Sequence, residues 1–210
     1  MAATPREDAT PFLPRRKSLK ALREAAADCR GCHLYTRATQ TVFGEGRKGA
    51  ELMLVGEIPG DREDRAGRVF VGPAGRELDN ALQAVGIVRE DAYITNVVKH
   101  FKFEERGKRR IHQKPKKGEI DACMPWLRAE LDVVKPTALL LLGATAAKAL
   151  LGEGFRLTRE RGRPIESDLA ELVVATIHPS AILRAGDGDA RQAQREAFIE
   201  DLRVIAEHAG

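Results

Sequence analysis

Apolar positions recur along this chain at two spacings, and each change of spacing marks an element. Four short runs are almost continuously apolar: Leu52 to Val55, Ala92 to Val98, Thr137 to Leu142 and Leu172 to Ile177. Runs of that length and character read as strands buried on both faces. Between them the apolar residues fall at helical spacing. Leu19, Leu22 and Ala26 follow a capping Ser18; Leu78, Ala81, Leu82 and Val85 precede Gly86; Cys123, Trp126, Leu127 and Leu131 precede Pro136. Residues 144–151 and 190–206 complete the helical set, the latter with Phe198, Leu202 and Ile205 on one face. Strands separated by helices predict an α/β fold with a mainly parallel, four-stranded central sheet. Residues 1–16 read as a flexible arm and 17–210 as one domain, with 101–118 as a long polar loop.

Several of the predicted strands end in polar groups: Glu57 after the first, Asn96 with His100 at the second, His178 after the fourth. Parallel strands place such ends on one rim of the sheet, where α/β proteins do their chemistry. The stretch GEIPGDREDRAGRVFVGPAG, residues 56–75, sits on that rim. It crowds Glu57, Asp61, Glu63 and Asp64 among glycines that permit close backbone approach. Phe70 is its lone aromatic, and Gly72-Pro73-Ala74-Gly75 opens a helix whose free N–H groups suit a phosphate. The same residues also describe a solvated acidic loop followed by a helix cap.

Charge adds a second feature. Lys102, Arg106, Lys108, Arg109, Arg110, Lys114, Lys116 and Lys117 fall in one segment, with Ile111 and His112 inside it. Such a run is either a solvated loop or a nucleic-acid backbone patch. At 210 residues, 43% hydrophobic and a net charge of +4, the chain suits one globular domain, and its basic balance permits a nucleic-acid partner. No apolar run is long enough to span a bilayer and no apolar signal core opens the chain, so a cytoplasmic protein without membrane contact is expected. Three cysteines argue against a disulfide framework. Cys29 and Cys32 form a Cys-x-x-Cys, with Cys123 as an obvious third ligand; iron–sulfur, zinc and a redox pair all fit that spacing. No GKS/T phosphate loop and no GxGxxG after a strand is present.

Taken together, CRGCHLY, GEIPGDRED, FVGPAG, TNVVK, LLLLGATAAKALLG and HPSAILR resemble the uracil-DNA glycosylase superfamily, its iron–sulfur branch in particular. KHFKF and KRRIH resemble the UdgX group of that branch, which bonds covalently to its DNA. The resemblance implies a single-domain α/β/α sandwich acting on uracil-containing DNA, single- or double-stranded, as a monomer. It implies a [4Fe–4S] cluster on Cys29, Cys32, His100 and Cys123, although three cysteines and a histidine also suit structural zinc. It places Gly56, Ile58, Phe70 and Asn96 around uracil, Phe70 by stacking and Asn96 by reading the Watson–Crick edge. It sets His178 at uracil O2, where negative charge builds on the departing base. Gly72, Ala74, Gly75, Ser180, Lys108, Arg109 and Arg110 would hold phosphates. Glu57 and Asp61 would face the sugar cation, and His112, kept unprotonated by Arg109 and Arg110, would bond to C1′. Two departures stand out: His100 replaces the Cys of ordinary members, and Ile58 replaces the usual Gln or Ala. A conventional turnover glycosylase and a non-catalytic, cluster-bearing single-strand DNA-binding module are the competing expectations.

Overall fold

The computed structural model describes residues 8–208. Four parallel strands form where the apolar runs predict them: β1 (Leu52–Gly56), β2 (Tyr93–Asn96), β5 (Ala138–Leu142) and β7 (Leu172–Thr176). A fifth strand, β6 (Pro164–Ile165), pairs antiparallel with β7 at the edge, giving the order β2-β1-β5-β7-β6. Two residues, one of them proline, leave no periodicity to detect, and proline is tolerated at a sheet edge. A separate hairpin, β3 (Phe103–Arg106) and β4 (Arg109–His112), occupies the segment expected to be loop.

The helices are α1 (Leu19–Ala26), α2 (Asp61–Ala66), α3 (Pro73–Ala84), α4 (Lys117–Val134), α5 (Ala144–Leu151), α6 (Leu157–Glu160), α7 (Ser180–Arg184) and α8 (Gly188–Ala206). Alternate strand residues feed two cores. Met53, Val55, Leu139, Leu141, Val173 and Ala175 face one, with Trp126 of α4 and Leu22 of α1. Leu52, Leu54, Ile94, Leu140, Leu142 and Val174 face the other, with Leu78 of α3 and Phe198 of α8. The result is the α/β/α sandwich expected, with every residue of the four main strands buried. Among the described residues no helix is long and apolar enough to cross a membrane.

Of the expected arm, residues 1–7 lie outside the described residues. Its described part carries a short 3-10 turn, Thr10–Phe12, and a buried Ala9 whose N–H donates to Ala122 O at 2.8 Å.

Candidate active site

The carboxyl ends of β1, β2, β5 and β7 open into one cleft of about 790 Å³. Glu57, Ile58, Asp61, Phe70, Asn96, His112, His178 and Ser180 all line it, so residues far apart in sequence share one space. Pairing continues past β1, with Val97 N–H donating to Gly56 O and Val98 N–H to Glu57 O, which fixes Glu57 beside Asn96.

The wall at Asn96 is tightly built. Gly56 lies opposite Asn96 in the parallel register. A Cβ on Gly56 would stand 2.3 Å from Asn96 Oδ1 and 2.6 Å from Phe70 Cζ. Phe70 itself has φ +50°, a strained value for an aromatic residue. Gly75 allows it, because a Cβ there would fall 1.8 Å from Phe70 O. Gly56 and Gly75 therefore serve the cleft by having no side chain. Asn96 is 2% exposed, and its Oδ1 has no hydrogen-bond partner among the described residues. A buried acceptor without a partner is costly and awaits a donor. Below it, Lys99 Nζ donates to Asn96 O at 2.6 Å, to Thr95 Oγ1 and to the buried Glu130 carboxylate. Glu130 also accepts from Tyr93, Thr95 and Gly44. This charged network under β2 was invisible in the sequence, where Lys99 and Glu130 are 31 residues apart.

His178 follows β7 and stacks on Phe70, with ring centroids 5.8 Å apart at 29°. Burial, then Arg184 and His112, lower its pKa to about 4, so the ring is neutral near pH 7. Its Nδ1 accepts from Ser180 N–H at 3.2 Å and lies 2.8 Å from Ser180 Oγ. Gly143, at φ +97°, leaves room for His178, whose Cβ would lie 3.0 Å from a Cβ placed on the glycine. The Ser180 hydroxyl is thus engaged by His178 and by Arg184 Nη1 at 2.9 Å.

His112 ends the hairpin strand β4, opposite Phe103. The hairpin turns at Gly107, φ +58°, the first central residue of a two-residue loop, where such a turn favours glycine. His112 is exposed on one side, yet burial is the leading cause of its lowered pKa. Glu57 opposes that shift; Arg184 and Lys114 reinforce it. The neighbouring cations are therefore not Arg109 and Arg110, as the sequence suggested. Arg110 turns inward instead: Nε meets Asp61 Oδ1 at 2.5 Å, Nη1 meets the fully buried Asp64 at 2.7 Å and Thr39 at 3.1 Å. Its guanidinium also lies over the rings of Phe101 and Phe103. Arg110 clamps the hairpin to α2 through Asp61 and Asp64. Lys108 and Arg109 are exposed at the hairpin tip, away from the cleft lining.

The carboxylates divide by partner. Glu57 Oε1 accepts from Thr145 Oγ1 at 2.5 Å. Asp61 is bound by Arg65 and Arg110, which outweigh burial and hold its pKa low. Glu63, 8% exposed, accepts from Gly72 N–H at 2.6 Å. That N–H is spoken for, which leaves Ala74 and Gly75 as the free donors at the start of α3. Lys114 of the basic segment also lines the cleft, together with Arg62 and Arg184, which the sequence reading did not single out.

A profile of the uracil DNA glycosylase superfamily matches residues 43–203. The chain is 36% identical over 189 residues to a type-4 uracil-DNA glycosylase of Thermotoga maritima, covering 90% of this chain and 93% of that protein. The chain belongs to the uracil-DNA glycosylase superfamily. A type-4 uracil-DNA glycosylase of Sulfurisphaera tokodaii is likewise 36% identical over 200 residues, 91% of this chain and 85% of that protein. A type-5 enzyme of Pyrobaculum aerophilum is 30% identical over 181 residues, 79% of this chain and 75% of that protein.

Cys29, Cys32, His100 and Cys123 are the residues that the resemblance to the iron–sulfur branch assigned to a cluster. All three cysteines are free, and Cys29 and Cys123 are buried. Burial pushes the Cys123 thiol up to about 12, partly offset by Lys99, and Cys32 and Cys29 add to the rise. Trp126 Nε1–H donates to Cys29 Sγ at 3.1 Å and Lys99 N–H to Cys123 Sγ at 3.3 Å, the kind of N–H···S bond that tunes cluster sulfurs. Thr41 Oγ1 gives its one proton to Ala26 O, so His100 Nε2, 2.9 Å away, is the donor of their bond. His100 then keeps a lone pair on Nδ1, and burial lowers its pKa to about 4. Among the described residues no three His, Cys, Asp or Glu side chains already stand in a ligating arrangement. The donor set nonetheless fits a soft metal centre: three coupled thiols and one oriented, neutral imidazole.

Proposed function

We propose that this protein is a uracil-DNA glycosylase that excises uracil and is then captured by its own product, through a bond between His112 and the sugar C1′. The observation that carries the reading is the meeting of Asn96, His178, Glu57 and His112 in one cleft. The unpartnered Asn96 Oδ1 would accept from uracil N3–H while its amide donates to O4; cytosine presents the reverse pattern. Phe70 would stack on the pyrimidine. His178, neutral and accepting at Nδ1, carries its proton on Nε2, which is the donor that a developing negative charge at O2 requires.

Cleavage of the C1′–N1 bond sends its electron pair onto the base and leaves a cation-like sugar. His112, short of protons by burial, has a ring nitrogen lone pair with which to attack C1′. The ring then carries an extra positive charge, and Glu57, whose field already acts on His112, is the acceptor for the proton on its other nitrogen. The product is a new N-glycosidic bond between His112 and C1′, and the sugar retains its ring oxygen O4′. Cys29, Cys32, His100 and Cys123 would hold a [4Fe–4S] cluster, which could serve to anchor the fold or exchange an electron. The partner is uracil-containing DNA, met by a monomer in the cytoplasm.

Incubation with uracil-containing single-stranded DNA followed by denaturing electrophoresis tests the reading. A protein band shifted by the DNA supports it. Free abasic product without a shift would mean ordinary turnover, and neither product would mean binding alone.

A further inference from the structure

Lys99 takes no part in the scheme above, yet it is a charged side chain only 1% exposed, folded back onto the base reader. Its place follows from the sheet. β2 is the edge strand of the order β2-β1-β5-β7-β6, so one of its sides has no neighbouring strand. At the peptide joining Asn96 to Val97, the N–H donates to Gly56 O on β1 at 2.9 Å. In a trans peptide the C=O points the opposite way, so Asn96 O faces the open edge. Two residues earlier Glu45 bridges that edge, its N–H donating to Ile94 O at 2.9 Å. At Asn96 the donor is Lys99 Nζ, at 2.6 Å. Asn96 is 2% exposed, and a carbonyl so buried must be paired within the protein.

The ammonium is itself held. It donates to Thr95 Oγ1 at 2.7 Å and pairs with Glu130 of α4, which is fully buried. Glu130 is fixed in turn by Tyr93, Thr95 and Gly44. The Lys99 backbone N–H meets Cys123 Sγ on the same helix at 3.3 Å, so both ends of the residue are tied to α4. A buried ion pair gains little over an apolar pair of similar volume, so stability alone does not account for these two charges.

We propose that Lys99, anchored by Glu130, is a positioning residue for base recognition: by donating to Asn96 O at the open sheet edge, it fixes the backbone from which the Asn96 carboxamide reads uracil. This rests on the proposed role of Asn96. The carboxamide Oδ1 has no partner of its own among the described residues, so before a base arrives its aim depends on that backbone.

The chain has two asparagines, Asn80 and Asn96, so full-length protein labelled with 15N-asparagine carries two side-chain amide groups, and Asn96→Ala assigns them. The test variant combines Lys99→Met with Glu130→Gln. It removes both charges together and leaves an acceptor for Tyr93 and Thr95. Its Asn96 amide should shift and broaden while that of Asn80 stays as in wild type. Uracil release at saturating DNA should slow by about tenfold, within the range that a misplaced binding group costs. Ile205→Ala is the comparison: it opens a cavity in the core on the other face of the sheet and lowers stability without touching β2. Its release rate should equal that of wild type. An unchanged Asn96 amide in the double variant overturns the proposal, as does an unchanged release rate or an equal slowing in Ile205→Ala. If the Asn96 amide responds as expected but wild type releases no uracil, the clamp stands and the glycosylase reading fails.

Discussion

Gly56 and Asn96 sit side by side on adjacent parallel strands, so close that a Cβ on the glycine would lie 2.3 Å from the asparagine oxygen. The same Cβ would press on Phe70 at 2.6 Å. One missing methyl thus lets the base reader and the stacking ring share a wall. Gly56→Ala is expected to fold, since β1 keeps its backbone pairing, but to displace both side chains. A displacement near 1 Å costs on the order of 10²-fold in rate. Single-turnover uracil release by Gly56→Ala should fall by about that factor; an unchanged rate would remove Asn96 and Phe70 from the site.

The clamp on the hairpin gives a separable effect. Asp64 is fully buried and meets Arg110 and Thr39. Asp64→Ala leaves the guanidinium half-paired in a mostly buried position, and unfolding by urea should show a loss of about 2–4 kcal/mol. Arg110→Gln should loosen β4 and lower the yield of covalent adduct more than the rate of uracil release, because Asn96 and His178 stand on other elements. Equal losses of both would mean that the hairpin does not present His112 independently.

The pattern of apolar runs made the four main strands legible because burial on both faces leaves a continuous signature. Glu57, Asn96 and His178 were legible as strand ends for the same reason. The hairpin was not: of Phe103–Arg106 only the phenylalanine is buried, and a run of charges masks its two-residue period. The pairing of Arg110 with Asp61 and Asp64 left no local mark, because those partners lie 49 and 46 residues away. Thr145 beside Glu57 and Glu63 on Gly72 are hidden similarly. Arg184 stood inside HPSAILR, where its spacing of four from Ser180 on a helix was the signal available.

Acid should act on stability through His178. Its folded pKa of about 4 lies below the ordinary 6.5, so the unfolded chain binds the proton more tightly. Its contribution is therefore complete above pH 6.5 and is lost as pH falls toward 4, at up to about 1.4 kcal/mol per pH unit. In His178→Gln the decline of urea-unfolding stability between those pH values should be shallower. An identical slope would contradict a neutral, buried His178.

The proposed ligands Cys29, Cys32, His100 and Cys123 lead to a compositional test. Protein purified without oxygen is expected to be brown and to contain iron, and Cys123→Ser to lose it. His100→Cys should keep the cluster, since thiolate is the commoner ligand. Stoichiometric zinc without iron would contradict the iron–sulfur assignment.

The covalent step is tested most directly on the adduct itself. Wild-type protein is incubated with a uracil-containing oligonucleotide, digested with protease and nuclease, and its peptides are sequenced by mass spectrometry. The sugar mass is expected on His112, and His112→Ala should give no adduct that survives denaturant. A sugar on any other residue, or a stable adduct formed by His112→Ala, would contradict capture by His112.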